Sequence, residues 1–136
     1  MKIAFTVFAL ATAIACEVAP PGATELSPDE FLKSLPANAL VLDVRTAEEF
    51  ASRHVPGAVN ISHNELASRI EELGADTSKP VVVYCERGGR AGKAATVLLE
   101  AGFSDVRHLA GDMSEWRSKG RAMETSASLD TRSLRR

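Results

Sequence analysis

Two short, continuous apolar runs constrain the fold of this chain more than any other feature of its sequence. They are residues 39–43 (ALVLD) and 80–84 (PVVVY), and residues 106–109 (VRHL) form a weaker third candidate. Uninterrupted apolar runs of this length are typical of strands that are buried on both faces of a parallel sheet. The sequence therefore predicts a small, mostly parallel sheet.

The segments between these runs carry three helix starts of one type. Each is a capping box, in which a Ser or Thr oxygen accepts a backbone amide proton and a Glu three residues later reaches back to the cap. The three are Ser27-Pro28-Asp29-Glu30, Thr46-Ala47-Glu48-Glu49 and Ser62-His63-Asn64-Glu65. Gly74 and Gly102 are placed to end two helices. Alternating strands and helices predict an α/β sandwich with helices on both faces of the sheet.

The N-terminal segment has the pattern of an export signal. Lys2 precedes an apolar run over residues 3–14, and small residues follow at 13 and 15. This run is shorter than the roughly 20 residues that span a membrane, so we predict that residues 1–15 are a cleaved signal peptide. Residues 13–16 (AIAC) also loosely match a lipobox, in which Cys16 becomes the lipidated first residue. Two interpretations stay open: a soluble periplasmic or otherwise exported protein, and one anchored in the membrane through Cys16.

Length and composition set the remaining boundaries. The chain has 136 residues and 45% hydrophobic content, which is typical of one globular domain. We predict a linker at 16–23, a domain at 24–119 and a disordered tail at 120–136, where large apolar residues are scarce. The formal net charge of −2 offers no field for binding nucleic acid. The oligomeric state stays open.

Cys85 is the candidate nucleophile. It directly follows the second apolar run and begins the loop Cys85-Glu86-Arg87-Gly88-Gly89-Arg90, after which a helix is predicted to start by residue 91 or 92. The glycines permit unusual backbone angles, so that the loop amides and the positive end of the helix converge on the sulfur. The two arginines add positive charge. This environment favours a thiolate or a bound anion.

Three ordered motifs resemble those of the rhodanese family, over about residues 24–118. The first comprises Leu42-Asp43-Val44-Arg45, Glu49-Phe50 and residues 54–60 (HVPGAVN); the second is the loop 84–93; the third comprises Gly102-Phe103, Val106, Leu109-Ala110-Gly111 and Trp116. The chain is similar in length to the small, single-domain, exported members. The resemblance implies the rhodanese-like three-layer sandwich.

The resemblance also implies an activity and the roles of the loop residues. A sulfurtransferase of this type takes sulfane sulfur from thiosulfate or a similar small anionic donor, holds it as a persulfide, and passes it to a thiol or cyanide. Carried onto this sequence, Cys85 is the nucleophile and the amides of Glu86, Arg87, Gly88, Gly89 and Arg90 cradle the sulfur. Arg87 and Arg90 hold the donor, with Arg90 expected to contribute more. The implied chemistry requires no cofactor and no metal.

Two positions are unusual for such a site. The Glu86 carboxylate opposes an incoming anion unless Arg87 or Lys93 offsets its charge. Asp112 stands where the family usually has the second of two glycines, and Asp is among the few residues that tolerate a left-handed backbone. We therefore expect the turn before the last helix to survive. Asp43, Arg45 and Glu49 are assigned to the architecture rather than to catalysis.

Other functions fit the sequence less well. A phosphatase or arsenate reductase on the same fold needs a longer loop, whereas only four residues separate Cys85 from Arg90. A redox role lacks the second nearby cysteine. A non-catalytic rhodanese-like module, which binds a partner or carries sulfur, is the stronger alternative because a fold does not determine a function.

Overall fold

The computed structural model describes residues 19–127. The predicted signal peptide, Cys16 and residues 128–136 lie outside that range. Within it, no helix has the length and apolar character that crossing a bilayer requires.

A sheet of five parallel strands forms the centre of the domain. The strands are β1 Thr24–Leu26, β2 Leu40–Asp43, β3 Val59–Asn60, β4 Val81–Tyr84 and β5 Val106–Leu109, in the spatial order β1-β5-β4-β2-β3. The three predicted strands are confirmed as β2, β4 and β5. The edge strands β1 and β3 are only 3 and 2 residues long, too short to show a hydrophobic period in the sequence.

Helices cover both faces of the sheet, as predicted. They are α1 Pro28–Ser34, α2 Ala47–Ser52, α3 Gly89–Glu100 and α4 Asp112–Ser118, with a 3₁₀ helix over Ala67–Leu73. The capping boxes of α1 and α2 are confirmed, because Ser27 and Thr46 each accept the N3 amide proton. The third predicted capping box is wrong. The Ser62 hydroxyl donates to the Arg45 carbonyl instead, and the 3₁₀ helix begins later without a side-chain cap.

The two faces of the sheet carry separate hydrophobic cores. On one face, residues of β2 and β4 such as Leu42 and Val83 pack with buried residues of α3. On the other face, Val82 and Leu109 pack with Trp116 and other apolar residues of α1 and α4. This alternation along buried strands confirms the three-layer α/β sandwich.

The first part of the predicted disordered tail packs against the domain. His54 and Glu124 exchange two backbone hydrogen bonds of 2.9 Å, and the Trp116 indole N–H donates to the Ala122 carbonyl at 2.9 Å. Met123 packs against the second core. Disorder is therefore the wrong prediction for residues 121–124, because this pairing and burial offset the entropy of ordering the segment.

The candidate site lies at the carboxyl ends of the parallel strands. Cys85 follows β4, which lies between β2 and β5 at the middle of the sheet. Parallel sheets present the loops after their strands at one shared edge, which is where such folds bind ligands. The loop after β4, the start of α3 and the turn before α4 therefore meet at this edge.

Candidate active site

The Cys85 sulfur lies at the base of the loop that joins β4 to α3. Cys85 is 1% exposed, and the Gly88 amide donates to its Sγ at 3.0 Å. Gly88 has a φ of 114°, a backbone conformation that glycine adopts without strain. The helix α3 begins at Gly89, two residues earlier than the first predicted start, so its unpaired first-turn amides directly follow Gly88. The loop curls around its first residue, as the sequence predicted.

Among the described residues, the Gly88 amide is the loop amide that hydrogen-bonds to the sulfur. Gly88 supplies the amide that reaches Sγ, whereas the amide of Cys85 itself donates to Asp112 Oδ1 at 2.9 Å. The Cys85 carbonyl accepts from the Met113 amide at 3.0 Å. The first two residues of α4 therefore hold the peptide groups on both sides of Cys85.

Arg90 is engaged with a carboxylate. Its two terminal nitrogens donate to Glu49 Oε2 at 2.8 Å and to Glu49 Oε1 at 3.0 Å. The hydrogen bond from Arg90 lowers the pKa of Glu49 to about 2, although partial burial opposes the shift. Glu49, assigned from the sequence to architecture, therefore both caps α2 and orients Arg90 beside the loop.

The charge of Glu86 is offset by two arginines that the sequence did not point to. Arg117 donates to both Glu86 oxygens, at 2.8 and 3.2 Å, and Arg45 Nη1 lies 3.5 Å from Oε2. The hydrogen bonds from Arg117 hold the pKa of Glu86 below its usual range. Arg117 of α4, rather than Arg87 or Lys93, meets the condition under which this carboxylate does not oppose an anion.

Arg87 differs from Arg90 and Arg117 because its guanidinium is not paired with a carboxylate of the described residues. The side chain is exposed, and within residues 19–127 it makes no hydrogen bond or ion pair. Of the two arginines predicted to hold an anion, Arg87 is thus the one whose guanidinium is available to a ligand.

Buried polar groups anchor the end of β4 next to the site. Arg45 pairs with Asp43 at 2.7 Å, with 2% and 0% of the two side chains exposed. The Tyr84 hydroxyl donates to Asp43 Oδ2 at 2.7 Å and accepts from the Val55 amide at 3.0 Å. Burial and the Asp43 charge raise the pKa of Tyr84 far above its ordinary value, so the hydroxyl stays a donor. This burial and pairing agree with the architectural role assigned to Asp43 and Arg45.

A second chain of polar side chains, which no sequence motif predicted, lies beneath the loop. Asp112, at φ 52°, places Oδ2 2.9 Å from His108 Nε2. The other ring nitrogen, Nδ1, lies 3.0 Å from Glu25 Oε1. The expected left-handed backbone at Asp112 is present, but no pattern in the sequence predicted that its carboxylate reaches the amide of Cys85. The four-residue spacing of His108 and Asp112 was the available signal.

Histidine, cysteine and acidic side chains do not cluster into a metal site anywhere in residues 19–127. Apart from Arg87, the charged side chains around Cys85 form ion pairs and hydrogen bonds with one another.

Comparison with known proteins agrees with this geometry. A profile described as the rhodanese-like domain matches residues 27–119. The chain belongs to the rhodanese family.

Several rhodanese-family sulfurtransferases are similar in sequence. The thiosulfate sulfurtransferase GlpE of Pseudomonas savastanoi pv. phaseolicola is 39% identical over 80 residues, which cover 59% of this chain and 74% of that protein. The GlpE protein of Pseudomonas aeruginosa is 33% identical over 93 residues, covering 68% of this chain and 83% of that protein. The chloroplastic thiosulfate sulfurtransferase 16 of Arabidopsis thaliana is 39% identical over 89 residues, covering 58% and 74%. These relatives support sulfurtransferase activity in general.

Solved structures share the fold. A full-length protein from Lactobacillus plantarum is 31% identical with a TM-score of 0.64, over 74% of this chain and 87% of that chain. A structure described as rhodanese with anions, from E. coli, is 31% identical with a TM-score of 0.55, over 65% and 99%.

Proposed function

We propose that this rhodanese-family protein transfers sulfane sulfur from thiosulfate, or a similar anionic donor, to a thiol or cyanide through a persulfide on Cys85. The contact of 3.0 Å from the Gly88 amide to Cys85 Sγ carries the proposal. This N–H group points at the sulfur and stabilises negative charge on it. The sulfur also lies at the start of a 12-residue helix, where the helix dipole favours negative charge. Relatives named thiosulfate sulfurtransferase support the choice of donor.

The reaction proceeds in two displacements. The Cys85 thiolate attacks the outer sulfur of thiosulfate, forming a sulfur–sulfur bond at Cys85 while sulfite leaves with the electron pair of the broken bond. A nucleophile such as cyanide then attacks the terminal sulfur of the persulfide, giving thiocyanate and restoring the Cys85 thiolate. Charge balances in both steps, and splitting one transfer into two gives each step a good leaving group.

Arg87 is the side chain that we propose binds the donor most directly. It is exposed and unengaged, whereas Arg90 is shared with Glu49. We therefore expect R87A to raise the KM for thiosulfate about tenfold, the usual cost of losing one charge-assisted hydrogen bond. Replacing Arg90 by Ala should have a smaller effect on KM, which reverses the order expected from the sequence. Equal or opposite effects in steady-state assays would contradict this assignment.

Mass spectrometry of the intact protein tests the persulfide. Incubation with thiosulfate should add about 32 mass units, the mass of one sulfur atom, and cyanide should remove them. C85S should take up no sulfur and should lose activity while keeping its fold, because the substitution replaces only the nucleophilic atom. A C85S protein that retains activity would rule out the mechanism.

A non-catalytic rhodanese-like module, which binds a partner or carries sulfur, is the second candidate. Two observations favour it: Cys85 is only 1% exposed, and Arg90 is paired with Glu49. A buried sulfur and a neutralised arginine suit a protein that does not turn over a free sulfur donor. Folded wild-type protein that gains no mass from thiosulfate would select this alternative.

We also propose that the protein acts outside the cytoplasm, on the pattern of residues 1–16. Cell fractionation should find a mature form that begins at or near Cys16. Membrane-bound protein with fatty-acid mass on its N-terminal peptide would select lipidation over secretion. An intact Met1 form in the cytoplasm would overturn export.

A further inference from the structure

A chain of three side chains runs from the exposed Glu25 on the edge strand β1, through the buried His108 and Asp112, to the amide of Cys85. Glu25 Oε1 lies 3.0 Å from His108 Nδ1, and His108 Nε2 lies 2.9 Å from Asp112 Oδ2. Asp112 Oδ1 accepts the Cys85 amide proton at 2.9 Å. His108 and Asp112 are 6% and 2% exposed, so water contributes little to these bonds.

The two neighbours of His108 determine its charge. A neutral imidazole has one donor nitrogen and one acceptor nitrogen, whereas an ionised carboxylate only accepts. Each ring nitrogen of His108 faces a carboxylate oxygen, so both hydrogen bonds form only when the ring carries two protons. With both carboxylates ionised, this geometry favours the imidazolium form of His108. Burial opposes this charge, but the hydrogen bonds and charges of Asp112 and Glu25 outweigh it and raise the pKa of His108 to about 9.

The chain contacts both ends of the loop that holds the sulfur. Asp112 binds the amide of Cys85 at its start. A Cβ placed on Gly88 would lie 3.2 Å from Asp112 Oδ2 and 3.6 Å from His108 Cε1, so both side chains press against the residue that donates to Sγ. The Asp112 carboxylate would introduce an uncompensated negative charge beneath an anionic sulfur if His108 were neutral.

We propose that Glu25, His108 and Asp112 are positioning residues, in which the His108 imidazolium neutralises Asp112 so that Asp112 holds the Cys85 loop without opposing a thiolate or persulfide. The inference deepens the proposed function, because it concerns the reactivity of the same sulfur. The proposal gives a role to Asp112, which stands where the rhodanese family usually has the second of two glycines. Glycine at that position lacks the carboxylate and leaves nothing for a histidine to neutralise.

The other charged groups around Cys85 keep their charges whether His108 is protonated or neutral. The effect of His108 can therefore be separated from theirs. They are Arg87 and Arg90 on the loop and helix α3, Glu86 paired with Arg117 of α4, Glu49 of α2 paired with Arg90, and Asp43 paired with Arg45 after β2. Facing His108 itself are Glu25 from β1, Asp112 from α4 and the backbone of Gly88.

The rate of Cys85 alkylation by iodoacetamide, measured against pH on the donor-free protein, tests the proposal. H108Q leaves Asp112 uncompensated, and we expect the midpoint of the profile to move upward by about one pH unit, as a nearby like charge does. Adding D112N to H108Q should return the midpoint toward wild type, because the amide oxygen still accepts from Cys85 while the negative charge is gone. H63Q, a histidine substitution on the turn after β3, serves as the control and should leave the profile unchanged.

A merely structural role predicts a different result. Two disruptive substitutions would then add their effects, and the double variant would react more slowly than either single one. That outcome, or an H108Q profile that coincides with wild type, would overturn the proposal. Because no donor is used, the result is independent of whether thiosulfate is the substrate.

A second measurement on the unmodified protein covers the case in which H108Q fails to fold. Nitrogen-15 NMR of the His108 ring at pH 7.5 should show two protonated nitrogens, with a titration midpoint well above the 6.5 of an ordinary histidine. A neutral tautomer at that pH would overturn the proposal.

Discussion

The hydroxyl of Tyr84 provides a sharp test of what holds the end of β4, and therefore Cys85, in place. It donates to Asp43 Oδ2 at 2.7 Å and accepts from the Val55 amide at 3.0 Å. Tyr84, Asp43 and Val55 are each 0% exposed, so no solvent replaces a lost partner. Y84F removes one hydrogen bond to a charged group and leaves a buried amide unpaired, at about 1–3 kcal/mol each. Since the two losses share one site, we expect a decrease of about 2–4 kcal/mol in the free energy of unfolding.

Urea denaturation of Y84F against wild type measures this loss. S68A is the matched control, because it removes an exposed hydroxyl that donates to the Glu65 carbonyl, and it should cost less than about 0.5 kcal/mol. In a D43N background Y84F should cost less, since the charge that strengthens the bond is absent. A loss below about 0.5 kcal/mol for Y84F in the wild-type background would refute the account.

Two further predictions concern stability. The pKa of His108 rises from 6.5 to about 9 on folding, which corresponds to at most about 3–4 kcal/mol. Solvent screens the 44%-exposed Glu25, so we expect about 1–2 kcal/mol, present below pH 6.5 and lost as pH rises through 9. Denaturation at pH 6 and pH 10 should show this loss in wild type and not in H108Q; equal losses would contradict it. G111A should destabilise by about 1–3 kcal/mol, because Gly111 has φ 78° and an added Cβ overlaps the Glu115 side chain. Thermal unfolding should show no such loss for G92A, whose added Cβ meets no atom within 4 Å.

Local signals in the sequence predicted the central strands, two capped helices and the position of Cys85. Continuous apolar runs identify buried parallel strands because such strands have no solvent-facing side. A Ser or Thr with Glu three residues later identifies a helix start because the bonds that it forms are local. The same logic failed at Ser62, since its hydroxyl binds the Arg45 carbonyl 17 residues earlier in the chain.

The charges around the sulfur were decided by the tertiary structure. Glu49 reaches Arg90 across 41 residues of chain, and Glu25 reaches His108 across 83. No local pattern encodes these pairs, because they depend on the order β1-β5-β4-β2-β3, which places β1 beside β5. The sequence by itself therefore determined that a nucleophilic cysteine follows a central strand and begins a glycine-containing loop. Which cation is available to a ligand, and which carboxylate lies beneath the loop, depends on strand order and helix packing, because only these bring distant charges within hydrogen-bond range.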